Sequence, residues 1–388
     1  MSEQFQFDTV INRRGTNSYK WDTTPEGILP MWVADMDFKT APCIIEALKQ
    51  RVEQGVFGYT KVPDEYYTAT VDWFAKRHGW TFKASDIIYT IGVVPAISAI
   101  LKALTHKNDK VIVQTPSYNC FFSSIRNTGC QLLANKLVYS PDGYTIDFDD
   151  LEQCAADPDA KVLILCNPHN PVGRVWSRDE LMRIADICLR NHVTVIADEI
   201  HCELTYDGHN YTPFASLSED VAKNTVSCVS PSKAFNIAGL QIANIVCADP
   251  LKRMQIDWAI NENEVCDVNP FGVIATIEAY CHGSEWLDAL RDYIWHNYEY
   301  LRDFFSEELP EYPIVPLEGT YLAWVNIQAS GMTGAELEDY LIKKAFVRLN
   351  EGSMYGDGGE DFLRINLACP RSVLQEVMPK IASALKAL

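Results

Sequence analysis

The sequence predicts an α/β protein: a large domain with a mostly parallel sheet flanked by helices, followed by a smaller α+β C-terminal domain. Three observations lead there. The chain has 388 residues, 47% of them apolar, enough for a substantial core and more than one average domain holds. Through the middle of the chain, short β-branched runs alternate with amphipathic stretches, as in a parallel sheet covered by helices. From about Ser284 that alternation gives way to one long helical pattern, then to a mixture of strands and helices.

The elements follow in order. The first 45 residues are loop-rich and are expected to pack against the smaller domain. Pro95 follows Gly92-Val93-Val94, and proline is favoured at the first helical position, so a helix is expected over Ala96–Leu104. Lys110–Gln114, Lys161–Cys166 and Val193–Asp198 read as strands buried on both faces. Ser177-Arg178-Asp179-Glu180 forms a capping box ahead of a helix over Leu181–Asn191. Thr225–Val229 and Gln241–Cys247 are two further strand-like runs. Trp286, Leu287, Leu290, Ile294, Tyr298 and Leu301 recur at helical spacing until Pro310. Thr320–Ile327 and Phe362–Ala368 read as strands, and Gly334–Lys344 and Arg371–Ala387 as helices. The expected division is 1–45 as a segment on the small domain, 46–283 as the large domain and 284–388 as the small domain.

Composition narrows the function. A formal net charge of −19 makes nucleic acid and anionic membrane poor partners. The 12 cysteines are scattered singly, with no C-x-x-C pair, and Cys166, Cys228 and Cys247 lie inside apolar runs. They read as reduced core residues, with no disulfide framework and no metal site. Met1–Phe5 lacks a basic start and an apolar region, and no stretch is long enough to span a bilayer. A reducing cytoplasm is the expected compartment.

Chemistry concentrates where the strands end. In open parallel sheets, ligands bind beyond the carboxyl ends of the strands. There this chain places Thr115-Pro116-Ser117-Tyr118, Asn167-Pro168-His169-Asn170-Pro171, Asp198-Glu199-Ile200-His201 and Ser230-Pro231-Ser232-Lys233. A lysine between two apolar runs either snorkels to solvent or is held for a purpose; a buried amine loses basicity and becomes a usable nucleophile and base. That is what a Schiff-base lysine for pyridoxal phosphate (PLP) requires. Asp198 can pair with a pyridine nitrogen or act as a helix cap. Asn170 can meet a phenolic oxygen or serve turn chemistry. Tyr118 can stack on a ring or belong to the core, and His201 can orient the ring or the lysine or be a satisfied buried histidine. Gly92-Val93-Val94 opens a helix whose amides suit an anion, and Ser230 and Ser232 add hydroxyls.

These motifs, in this order and spacing, resemble the fold-type I PLP enzymes of the class I/II aminotransferase superfamily over essentially the whole chain. More narrowly, the sequence is similar to the PatB/MalY branch of cystathionine β-lyases. The narrower match is carried by Leu29–Phe38 (LPMWVADMDF), Phe57-Gly58-Tyr59-Thr60, Cys166–Arg174 (CNPHNPVGR), Asp198–His201 and Ser230–Gln241 (SPSKAFNIAGLQ). The resemblance implies that Lys233 forms the Schiff base and moves the Cα proton. It implies that Asp198 holds the pyridine nitrogen, Asn170 meets the phenolic oxygen and Tyr118 stacks on the ring. Val93, Val94, Ser230 and Ser232 would hold the phosphate. Tyr59 would reach the phosphate of a neighbouring subunit, in a homodimer with shared active sites. Arg364 would grip the substrate α-carboxylate. Apart from the resemblance, Trp32 and Tyr355 are aromatics near the expected pocket and are expected to accommodate apolar thioether groups.

Two departures from ordinary aminotransferases are His201, where many have tyrosine, and Gln241, where many have a phosphate-clamping arginine. Both are shared with the lyase branch and favour elimination. The expected activity is PLP-dependent β-elimination from L-cystathionine or related cysteine S-conjugates, giving a thiol, pyruvate and ammonia. Two other readings use the same residues: an aminotransferase, and a regulator that keeps the fold to bind a partner protein.

Overall fold

The computed structural model describes residues 5–262, 264 and 267–388. Seven strands form the central sheet: β1 (Ile87–Thr90), β2 (Lys110–Thr115), β3 (Gln131–Lys136), β4 (Ala160–Cys166), β5 (Thr194–Asp198), β6 (Thr225–Val229) and β7 (Ala243–Val246). Their order is β3-β2-β4-β5-β6-β7-β1. β7 is antiparallel to both of its neighbours, and the other pairings are parallel.

Both faces of this sheet are covered, which is why its strands are apolar without alternation. On β4, Val162, Ile164 and Cys166 join one core cluster with Ile97, Ile100 and Leu101 of helix α1 (Val93–Leu104). Leu163 and Leu165 point the other way, toward Leu181, Ile184 and Cys188 of helix α2 (Arg178–Arg190). The Ser177–Glu180 capping box is formed at the start of α2.

The C-terminal part begins with helix α3 (Ser284–Glu308) and holds a three-stranded antiparallel sheet. Its strands are β8 (Leu322–Asn326), β9 (Asn350–Glu351) and β10 (Phe362–Asn366), in the order β8-β10-β9. Helices α4 (Gly334–Lys344) and α5 (Arg371–Leu385) complete it. The N-terminal segment lies on this part: Leu29–Pro30 pairs in parallel with Val347–Arg348, and Asp37 N–H donates to Ala368 O at 2.9 Å.

Several boundaries differ from the sequence reading for identifiable reasons. Helix α1 starts at Val93, with Gly92 as its N-cap, so Pro95 is its third residue. Proline costs little there because first-turn amides have no partner within the helix. Gln241 is in the left-handed region (φ 50°) and closes a turn, which shortens the expected Gln241–Cys247 strand to β7. β8 and β10 both end in asparagine. Asn326 and Asn366 each accept the N–H two residues on, at 2.9 and 2.8 Å, and that local turn ends the strand. α5 stops at Leu385, short of Ala387. β1 and β3 were not anticipated; β3, QLLANK, has little branched apolar content and lies at the sheet edge with Leu132 exposed. Among the described residues, no helix is long and apolar enough to cross a membrane.

Candidate active site

The loops after β2, β4, β5 and β6 converge at one rim. Asp198 is the last residue of β5, in register with Cys166 of β4 and Cys228 of β6. Its carboxylate is buried, and Oδ1 accepts the Ile200 N–H at 3.2 Å. Burial pushes its pKa up to about 7, while that N–H and the Lys233 charge act the other way. A carboxylate so placed is served by a cationic N–H partner, which a protonated pyridine nitrogen provides.

Lys233 sits on the turn after β6. Its Nζ donates to Ala34 O at 2.7 Å. Burial pulls its pKa down to about 8, the Arg364 charge acts in the same sense, and Asp35 and Asp198 oppose it. His201 is buried, its Nδ1 has no partner among the described residues, and its ring meets the Tyr321 ring edge-on at 5.9 Å. Burial, then the charges of Lys233 and Arg364, hold it well below its ordinary pKa, so it is neutral.

Arg364 is the third charged group. It is 4% exposed. Nη1 donates to Asn170 Oδ1 at 3.0 Å and Nη2 to the Trp32 carbonyl at 2.8 Å, while Nε has no partner. Among the described residues no carboxylate pairs with it. A buried guanidinium without an anion is costly, and its planar fork matches a substrate carboxylate. Tyr118 is partly open to the cleft, edge-on to Phe121 at 5.7 Å. Its phenol is pushed up by burial, then by Cys120 and by the charge of Asp198.

Two of the residues expected to hold the phosphate, Ser230 and Ser232, are in direct contact. Ser230 Oγ lies 2.9 Å from Ser232 Oγ and donates to Ile242 O at 2.7 Å. Val93, in the first turn of α1, packs in one cluster with Val226 and Cys228 of β6, and the free first-turn amides of Val93 and Val94 suit an anion. This set fits PLP: a buried carboxylate for the ring nitrogen, a low-pKa amine for the aldehyde, and amides and hydroxyls for the phosphate. Gln241, in contrast, is exposed.

Trp32 and Tyr355 stand elsewhere than expected, while Tyr59 was expected at a neighbouring subunit's site. Tyr59 is 101% exposed and does not join the site of its own chain. Trp32 reaches Arg364 through its carbonyl; its indole N–H faces Lys20 O (3.3 Å) and Thr24 Oγ1 (3.2 Å), and Arg348 covers its ring. Tyr355 is 1% exposed, lies under the Arg364 guanidinium at 5.0 Å, and its hydroxyl accepts from Asn350 at 2.7 Å. The Tyr355 ring therefore supports Arg364, whereas Trp32 does so through its backbone carbonyl alone. Sequence reasoning missed the Ala34 carbonyl, Tyr321, Asn366 and Asn236. Ala34 and Asn236 lie inside the motifs Leu29–Phe38 and Ser230–Gln241, and the structure puts Asn236 in the left-handed region (φ 53°).

His78, Cys202 and Glu203 also cluster, at a spacing a metal could use. The Glu203 carboxylate, however, already meets Trp73 Nε1 at 2.6 Å, Arg77 Nε at 3.0 Å and His78 Nε2 at 2.7 Å. It is a buried ion-paired anchor.

Comparison with known proteins gives the family. The family described as aminotransferase class I and II matches residues 27–381. The chain is 43% identical over 384 residues to cystathionine beta-lyase PatB of Bacillus subtilis (strain 168), covering 98% of this chain and 99% of that protein. It is 32% identical over 391 residues to protein MalY of Escherichia coli (strain K12), covering 99% and 100%. The crystal structure of cystalysin from Treponema denticola, which contains a pyridoxal 5'-phosphate cofactor, superposes with a TM-score of 0.96 at 38% identity, covering 99% of each chain. With a family match across most of its length and relatives aligned end to end, this chain belongs to the class I and II aminotransferase family.

Proposed function

We propose that this protein is a PLP-dependent carbon–sulfur β-lyase acting on L-cystathionine or related cysteine S-conjugates, with a thiol, pyruvate and ammonia as products. The observation that carries the amino-acid chemistry is the buried, anion-free Arg364 beside Asn170, on the same rim as Lys233 and Asp198. Full-length similarity to relatives named cystathionine beta-lyase supports elimination.

Bound PLP supplies an electron sink for negative charge at the substrate Cα. The protein's residues do the rest. Lys233 would anchor the cofactor, and its amine, with a pKa of about 8, suits it to take the Cα proton. Asp198 would hold the ring nitrogen, Asn170 the phenolic oxygen and Tyr118 one ring face. Val93, Val94, Ser230 and Ser232 would hold the phosphate. Arg364 grips the α-carboxylate, and neutral His201 fills the space beside the lysine without adding charge.

Tyr59 is read as the contribution of one subunit to its neighbour's phosphate site, so the working form is a homodimer; its full exposure supports this. The segment 1–45, the large domain 46–283 and the small domain 284–388 are proposed as the units of the chain. A reducing cytoplasm suits the eleven free cysteines among the described residues.

Supplying L-cystathionine without a keto acid tests the reading. Equal amounts of thiol, pyruvate and ammonia are expected. Turnover only with a keto-acid acceptor would make the protein an aminotransferase instead. Lys233→Ala is expected to abolish turnover while leaving the circular dichroism spectrum unchanged.

A further inference from the structure

Two donors share one carbonyl oxygen at the edge of the site. Lys233 Nζ donates to Ala34 O at 2.7 Å, and the Tyr321 hydroxyl donates to the same oxygen at 2.8 Å. A carbonyl oxygen has two lone pairs, so this acceptor is full. Its position is fixed by the flanking backbone. Asn366 Nδ2 donates to Val33 O and to Asp35 O, each at 2.6 Å. Asn236 accepts the Met36 N–H at 3.0 Å and donates to Met36 O at 3.0 Å and Phe38 O at 2.8 Å. Tyr321 is equally constrained: it is fully buried, its ring meets His201, and the preceding Thr320 donates its N–H to Leu204 O at 2.7 Å.

We propose that Tyr321 is a positioning residue for proton transfer at Lys233, acting through the Ala34 carbonyl that both side chains share. The catalytic part of this rests on the lyase reading, in which Lys233 takes the Cα proton. A neutral amine has two N–H bonds and one lone pair. One N–H goes to Ala34 O, which leaves the lone pair free for the substrate proton. A carbonyl serves this purpose where a carboxylate would hold the ammonium form. By occupying the second lone pair, the Tyr321 hydroxyl aims the carbonyl and weakens its pull on a charged lysine. The other groups acting on the amine are Arg364, which favours the neutral form, Asp35, Asp198 and Cys120, which favour the charged form, and His201, which is neutral.

Tyr321→Phe keeps the ring and removes only the hydroxyl. In the cofactor-free protein, labelling of Lys233 by acetic anhydride, followed by peptide mass spectrometry across pH, is expected to show a midpoint raised by about half a pH unit. In the loaded enzyme, kcat for thiol release is expected to fall about tenfold with KM changed by less than about twofold, and the acid limb of the kcat–pH profile to move the same way. An unchanged labelling midpoint would overturn the proposal, as would a shifted midpoint with unchanged kcat. If the unsubstituted protein releases no thiol while the labelling shift remains, the lyase reading fails and the placement of Tyr321 stands.

Discussion

Asp198 and Arg364 are opposite charges buried at the same rim, without a direct partner of opposite sign among the described residues, and each has a measurable consequence. The Asp198 carboxyl rises from its ordinary value of 3.8 to about 7. Between those values the folded protein holds a proton that the unfolded chain has lost, so the stability of the cofactor-free form falls as pH rises through the window. Asp198→Asn removes that cost. Urea unfolding of the cofactor-free variant is expected to show a gain of up to about 4 kcal/mol at pH 8, shrinking at pH 5, together with loss of turnover. Equal stability at pH 8 would contradict this account of the carboxylate. For Arg364, lysine keeps the charge but loses the planar fork. Arg364→Lys should raise KM about 10- to 100-fold in steady-state assays, with far less effect on melting temperature.

Helix and strand ends decide how these side chains are aimed. The turn bearing Lys233 is tied to the start of α3 through Phe235, which stacks on Trp286 with centroids 5.7 Å apart. Gly283, just before α3, leaves room for that ring: a Cβ there would lie 2.4 Å from Phe235 Cε1 and 2.5 Å from Ala279 O. Gly283→Ala should therefore cost about 1–3 kcal/mol in thermal or urea unfolding and lower kcat by displacing the lysine turn. The long helix was legible from the spacing of Trp286, Leu290, Ile294 and Leu301, because a buried helical face imposes that period. The strand ends at Asn326 and Asn366 were not legible, since a side-chain turn stops each run before its apolar pattern does.

At the scale of the molecule, the expected homodimer has a surface candidate in the region of Val52, Val56, Phe57 and Tyr59, all more than half exposed. Sedimentation is expected to give twice the chain mass. Tyr59→Phe should leave that mass unchanged and weaken PLP retention about tenfold in a dialysis assay, because only the hydroxyl proposed to reach a neighbour's phosphate is lost. A monomer, or full PLP retention by the variant, would remove Tyr59 from the cofactor site.

The sequence by itself determined the sheet-centred α/β architecture and the residues at its rim. Strands buried on both faces must be apolar throughout, so Asp198, Lys233 and Asn170 stand out where those runs end. Only the tertiary structure decided what lies around them. It brings Ala34 to Lys233 across 199 residues and Trp32 to Arg364 across 332, and in both contacts the carbonyl is the acceptor. Every residue but proline offers the same carbonyl and N–H, so no residue type announces such a contact. Trp32 and Tyr355 show the same limit. Aromatic character was visible in the chain, but that Tyr355 meets Arg364 with its ring and Trp32 with its carbonyl depends on packing that brings distant segments together.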